Sequence, residues 1–201
     1  MMILIADDCQ FTALGMDGFF SATMSHHTIV HAETLSQVVT LLQLFSVGYV
    51  FFGERKMLSE GSIPPALKCY LHVNHLTLFF VITTIRRGTE FEKIPLRENL
   101  YILNRRGLAS VLMKIERHGN ALPSLLFTQN YDKPLYLTHQ ERQVINVYFQ
   151  CKTARATCNA LGIKKKTLSS HLANVRRKTK LRGIVAFWHA YTIHRALIGD
   201  F

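Results

Sequence analysis

The chain has 201 residues, 48% of them hydrophobic, with 24 Lys+Arg against 13 Asp+Glu. That is enough to bury a sizeable core in one or two domains. Split after Pro134, the net charge is +1 in front and +10 behind, so two units are favoured and the rear one is built to meet a polyanion. Membrane insertion is not expected: the longest apolar run, Leu76 to Ile85, is about half of the roughly 20 residues a spanning helix needs. The opening MMILIADD has no basic stretch and reaches Asp7 and Asp8 at once, so no export signal is expected. Cys9, Cys69, Cys151 and Cys158 lie far apart with no C-x-x-C pair, which argues against zinc and against a disulfide framework. They are expected to be reduced and mostly buried, in a cytoplasmic chain.

Residues 1–118 alternate short apolar runs with helical patterns. Met2 to Ala6 reads as a strand ending in Asp7-Asp8, and Gln10 to Met24 as a helix facing inward through Phe11, Leu14, Phe19 and Phe20. Thr28 to His31 is a weak second strand. Thr34 to Phe45 places Leu35, Val38, Val39, Leu42 and Phe45 on one helix face, and Tyr49 to Phe52 is a buried third strand. Gly53 to Pro65 reads as turn-rich, Ala66 to Val73 as a short helix, and Leu78 to Ile82 and Leu100 to Leu103 as two further strands. Leu108 to His118 closes the unit as a helix with Leu108, Val111, Leu112 and Ile115 inside. Unbroken apolar strands separated by helices describe a doubly wound α/β sheet covered on both faces. Periodicity lapses over 119–134, the expected linker.

From 135 to 201 the pattern is all-helical. Thr138 with Glu141 three residues on is a capping-box signature for a helix from His139 to Gln150, with Val144, Ile145, Tyr148 and Phe149 inside. A second helix from about Thr153 ends at Leu161-Gly162, where glycine permits a tight turn. A third starts at Thr167 with Leu168, Leu172 and Val175 at i, i+4 and i+7, leaving Lys166, Ser169, Ser170, Ala173, Arg176 and Arg177 outward. Small polar residues near a helix start let the backbone approach base edges, while Lys164, Lys165 and Lys166 before it and the arginines beyond reach phosphates. Thr167 joins this DNA-binding set. A protein-binding bundle with a solvated basic face is the bland alternative; such a face mixes both signs, whereas this one has only Glu141 and Asp200.

Leu137-Thr138, Glu141-Arg142, Val144-Ile145, Thr153, Leu161, Ile163, Thr167 and His171 fall at the spacing of LuxR/FixJ-type transcription regulators, and the rear unit resembles their C-terminal domain. Cys151 stands where that family has glycine, Ala154 and Ala156 replace a polar pair, and Ser169 replaces a lysine. The resemblance implies a DNA-binding helix-turn-helix. It also implies that the last helix, Ile184 to Ile198, dimerises through Ile184, Phe187, Trp188 and Tyr191; surplus core packing is the alternative for those apolar residues.

Asp7-Asp8 after the first strand resembles the acidic pair of response-regulator receivers. Phosphotransfer also needs an aspartate at the end of the third strand and a lysine at the end of the fifth. Gly53-Glu54 and Asn104-Arg105 stand there instead, with Thr83 or Thr84 near the hydroxyl position. The expectation is a pseudo-receiver, independent of acetyl phosphate and Mg²⁺; a fixed negative charge on Glu54 mimicking a phosphoaspartate is the alternative. The strings Ile5 to Gly18 and Lys166 to His171 resemble the RcsA/BglJ-type auxiliary regulators, which implies a heterodimer with an RcsB-like response regulator. The fold expected is therefore an α/β receiver-like doubly wound sheet followed by an all-α LuxR-type helix-turn-helix domain. The partners expected are double-stranded DNA and a second regulator chain, as homodimer or heterodimer, without a membrane.

His26-His27-His31 and His72-x-x-His75 are the best histidine clusters, but neither has an acidic or cysteine ligand beside it, so no metal is expected. No glycine-rich phosphate loop or Ser/His/Asp pattern is present, and neither a cofactor nor an enzyme is expected. The rivals left open are a module that sequesters a regulator without touching DNA and a phosphorylatable response regulator.

Overall fold

A computed structural model describes residues 1–23, 27–59, 63–74, 76–83, 93–117, 137–179, 181 and 184–198. The expected linker at 119–134 lies outside these residues, as do Met24, His26, His75 and Thr84.

The front part runs β1 (Met2–Ala6), α1 (Gln10–Thr23), β2 (Thr28–His31), α2 (Leu35–Leu44), β3 (Val47–Gly53), α3 (Glu54–Ser59), α4 (Pro65–Val73), β4 (Leu78–Thr83), β5 (Lys93–Arg97), β6 (Leu100–Asn104), a 3₁₀ turn at Arg105–Gly107 and α5 (Leu108–Arg117). The sheet order is β2-β1-β3-β4-β6-β5, parallel except where β5 pairs antiparallel with β6. β3, β4 and β6 are buried at every position, because each strand alternates its side chains between two covered faces. Ile3, Ile5, Tyr49, Phe51, Phe80 and Tyr101 meet Met16 and Phe20 of α1 and Val111, Leu112 and Ile115 of α5. Leu4, Ala6, Val50, Phe52, Phe79 and Val81 meet α2 and α4 and Met57 of α3 on the other side. Phe51 and Phe80 stack at 5.0 Å, and Phe80 and Tyr101 at 5.7 Å, across three neighbouring strands.

Several expectations are corrected. The 53–65 segment holds the helix α3 rather than turns alone. β5 was not foreseen; its KIPLR buries only alternate residues, and Pro95 is tolerated because the strand lies on the sheet edge. Phe11 and Leu14 are 88% and 66% exposed, since α1 turns Thr12, Met16 and Phe20 inward instead. Phe45 is likewise half exposed at the end of α2. None of the four cysteines is fully buried and Cys69 is exposed, because Leu67 and Leu71 fill the inner side of α4.

The rear part has α6 (His139–Cys151), α7 (Ala154–Leu161), α8 (Lys165–Thr179) and α9 (Ile184–Ile198). The capping box forms as read: Glu141 N–H donates to Thr138 Oγ1 at 3.2 Å and Thr138 N–H donates to Glu141 Oε2 at 2.8 Å. Thr153 caps α7, and Gly162 at φ 62° closes it in the left-handed region. Lys152, one residue beyond Cys151, takes the left-handed position after α6 at φ 58°. α8 begins at Lys165 rather than Thr167, because the Lys164 carbonyl already accepts the Leu168 N–H at 3.1 Å.

α9 joins the two parts. Phe187, Ala190, Tyr191, Ile193 and Leu197 are all buried in a core continuous with that of α2, α3 and α4, and α9 packs on α3 and α4. These side chains form the inner side of α9, while Trp188 and Arg195 are exposed.

Glu141 also accepts from the Lys178 ammonium at 2.6 Å. Burial acts to raise its pKa, but the Lys178 and Thr138 hydrogen bonds outweigh this and leave it below 4.5. A depressed acid pKa stabilises the fold above about pH 4.5 and loses that contribution as pH falls through the folded value. Thr138→Ala should lower stability by about 1 kcal/mol in urea denaturation at neutral pH. Glu141→Gln should flatten the acid loss of stability below pH 4.5, and an unaltered acid limb would contradict the assignment.

Candidate DNA-binding surface

α8 buries Leu168, Val175 and Thr179 and packs on α6 and α7. Leu172, the third member of the expected stripe, is half-buried. This anchoring sets the roll of the helix. Lys164, Lys165, Lys166, Thr167, Ser169, Ser170, Ala173, Arg176 and Arg177 are all exposed with both parts of the chain in place. Ser170 Oγ donates to the Lys166 carbonyl at 3.1 Å, and Arg177 donates to Asn174 Oδ1 at 3.2 Å.

The electrostatics of α8 run against its own stability at one end. Lys165 and Lys166 occupy the first turn, which contains no acidic residue, and Lys164 precedes them. Cations near a helix N-terminus oppose the helix dipole, at about 0.3–1 kcal/mol for a favourable charge lost there. That same end, with its free N–H groups, is suited to a phosphate. At the far end Arg176, Arg177 and Lys178 agree with the dipole. The only acidic side chain in α6 to α9, Glu141, is buried and already paired with Lys178.

Of the degenerate receiver residues, Asp7 lies within reach of the charges of Asp8 and Arg105, whereas Glu54 is turned to the rear part. Asp7 Oδ1 accepts the Cys9 N–H at 3.0 Å, and burial leads the influences that raise the Asp7 pKa, with the Asp8 charge adding to it and Arg105 acting the other way. A Cβ at Gly53 would come within 2.3 Å of Asp7 Oδ1, so Asp7 fills the space a side chain at the end of β3 would need. Asp8 pairs with Lys56 at 2.5 Å. Thr83 is fully buried at the end of β4, and Arg105 is exposed in the 3₁₀ turn. Glu54, 8% exposed, faces the rear part, where its Oε1 lies 2.6 Å from His189 Nδ1 on α9.

Sequence reasoning missed Lys56 and His189, which lie 48 and 135 residues from their partners and carry no local signal. The expected dimer face is also corrected in part. Phe187 and Tyr191 are buried within the chain, with Phe149 of α6 at 5.6 and 5.0 Å from their rings, and Tyr191 donates to Asn146. Trp188 is exposed, at 42%. Ile184 belongs to the same helix. His31 is engaged by Asp17 at 2.8 Å, and among the described residues no group of three potential metal ligands is brought together.

Comparison with known proteins agrees with this architecture. Residues 2–121 match the family described as transcriptional regulator RcsA, N-terminal dimerisation domain. Residues 135–190 match the luxR family of bacterial regulatory proteins. The transcriptional regulatory protein RcsA of Pantoea stewartii subsp. stewartii is 24% identical over 196 residues, covering 94% of this chain and 92% of the relative. That of Escherichia coli O157:H7 is 24% identical over 194 residues, with the same coverage. Among solved structures, RcsB from Salmonella enterica serovar Typhimurium bound to promoter rprA covers 100% of both chains at 14% identity, with a TM-score of 0.55. A complex of the response regulator RcsB with DNA aligns with a TM-score of 0.54 at 14% identity, covering 100% of this chain and 99% of the other. The fold is thus that of a receiver-like α/β domain followed by a LuxR-type helix-turn-helix. With more than half its length matched by the RcsA N-terminal model and a LuxR-type domain behind it, the chain belongs to this family of DNA-binding transcription regulators.

Proposed function

We propose that this regulator acts on duplex DNA by contact alone, without phosphorylation. One half of the reading places α8 in the major groove, with Ser169, Ser170, Thr167 and Ala173 near base edges and Lys164, Lys165, Lys166, Arg176 and Arg177 on phosphates. The observation that carries it is the cationic first turn of α8, exposed and without an acidic neighbour in its own turn. The other half makes the front domain a pseudo-receiver. In its support, Gly53 stands at the end of β3, and Asp7 occupies the space an acceptor carboxylate there would fill.

The front domain, over residues 1–118, then serves dimerisation, either with a second copy or with an RcsB-like response regulator that supplies most of the sequence discrimination. A linker at 119–134 joins it to the rear domain at 135–201. We place the chain in the cytoplasm and assign it no enzymatic activity; among the described residues no helix is long and apolar enough to cross a membrane.

Titration of duplex binding against salt should give a log–log slope near −5 for about six phosphate contacts. Lys165→Ala or Lys166→Ala should each reduce that slope by about 1 and weaken all sequences alike. Ser169 or Ser170 substitutions should instead change the order of preferred sequences. A flat salt dependence would favour the rival module that sequesters a regulator without DNA.

Incubation with acetyl phosphate and Mg²⁺ should add no phosphoryl mass to the intact chain. A stoichiometric adduct on the front domain would restore the phosphorylatable reading.

A further inference from the structure

Lys152 closes α6 in the left-handed region at φ 58°, where helices ordinarily place glycine or asparagine. Gly162 has the same duty after α7 at φ 62°, so the chain uses glycine at one of two like positions and lysine at the other. A Cβ in that region crowds the following carbonyl, and a long side chain gains nothing from the turn itself. The residue is also firmly placed. Its N–H donates to the Tyr148 carbonyl at 2.9 Å, and its neighbour Thr153 caps α7 by accepting the Ala156 N–H at 3.3 Å. The backbone is thus held on both sides while the side chain stands exposed.

Three residues on, Arg155 is a second exposed cation, in a first turn of α7 that contains no acidic residue. Among the described residues neither Lys152 nor Arg155 forms a side-chain ion pair. Glu141, the only acidic side chain of α6 to α9, is buried against Lys178. A cation just past α6 agrees with the dipole of that helix, which is the alternative reason for Lys152. Arg155 has no such reason, since it stands at the positive end of α7. A residue kept in a strained conformation, with no use for its side chain inside the chain, points to a contact outside it.

We propose that Lys152, with Arg155 beside it, is a second phosphate contact of the DNA-binding surface, placed by α7 rather than by α8. The inference deepens the reading of α8 as the groove helix and rests on it. In a helix-turn-helix the second helix enters the major groove while the first crosses the sugar–phosphate backbone. α7 packs against both α6 and α8, so this pair and the run Lys164 to Lys166 are carried by one packed unit. Cations at the start of each helix of the motif hold the backbone at two places, and two such holds fix how α8 enters the groove. An ammonium suits the task as a compact point charge for a phosphate oxygen.

Duplex binding by the full chain, titrated against salt on duplexes of unrelated sequence, tests this. Lys152→Gly should reduce the log–log slope by about 1 and weaken all duplexes alike, about fivefold at about 0.15 M salt. Its urea midpoint should not fall, because glycine suits the left-handed backbone. Lys152→Arg should keep the wild-type slope, since the charge is retained. Arg155→Gln should lower the slope as Lys152→Gly does, and the two together should lower it by about 2. An unchanged slope in Lys152→Gly would overturn the proposal; if stability fell as well, Lys152 would be a charged cap of α6 and nothing more. A salt-dependent wild type with unresponsive Lys152 and Arg155 variants sinks this inference alone, whereas a flat wild type sinks the reading of α8 with it.

Discussion

The rear domain hangs on one buried carboxylate. Glu141 caps α6 by accepting the Thr138 N–H at 2.8 Å, and it ties α6 to the far end of α8 by accepting from Lys178 at 2.6 Å. A buried charge is tolerable only when paired and hydrogen-bonded, and Glu141 meets both conditions. Leu168 and Val175 then anchor the inner side of α8. With the end pinned by Glu141 and the roll fixed by those two side chains, every remaining position of the helix has its direction determined. The exposed face collects the lysines, small polar residues and arginines because the inner positions are already taken.

Two features then separate the roles of the front and rear domains. In the rear, cations crowd the positive end of α8, an arrangement that weakens the isolated helix and that a bound anion would offset. In front, Asp7 fills the space beside Gly53, Asp8 pairs with Lys56, and Glu54 faces His189 of α9. The start of α3 thus touches the rear domain directly through the Glu54–His189 pair, with α9 packed over α3 and α4.

Much of this was legible in the sequence. The buried strands read correctly because both faces of the sheet are covered, so their residues form unbroken apolar runs. The Thr138–Glu141 box and the Gly162 turn were readable because each depends on residues at most three apart. What failed to show depends on longer-range geometry. Phe11 and Leu14 have the hydrophobicity of core residues but lie on the outer side of α1, since Met16 and Phe20 fix its roll. α3 is only 6 residues long and follows β3 without a break, so no periodicity marks it. The surplus of large apolar side chains in α9 was visible, but its cover was not. Phe187 and Tyr191 meet α6, and the packing of α9 on α3 and α4 is a tertiary fact.

Lysine-acylation footprinting of the full chain with and without duplex DNA tests the central claim most directly. Protection of Lys164, Lys165 and Lys166 upon DNA addition, with Lys68 and Lys114 of the front domain unchanged, is the predicted result. Protection of the front-domain lysines while the three at the start of α8 keep their reactivity would contradict it.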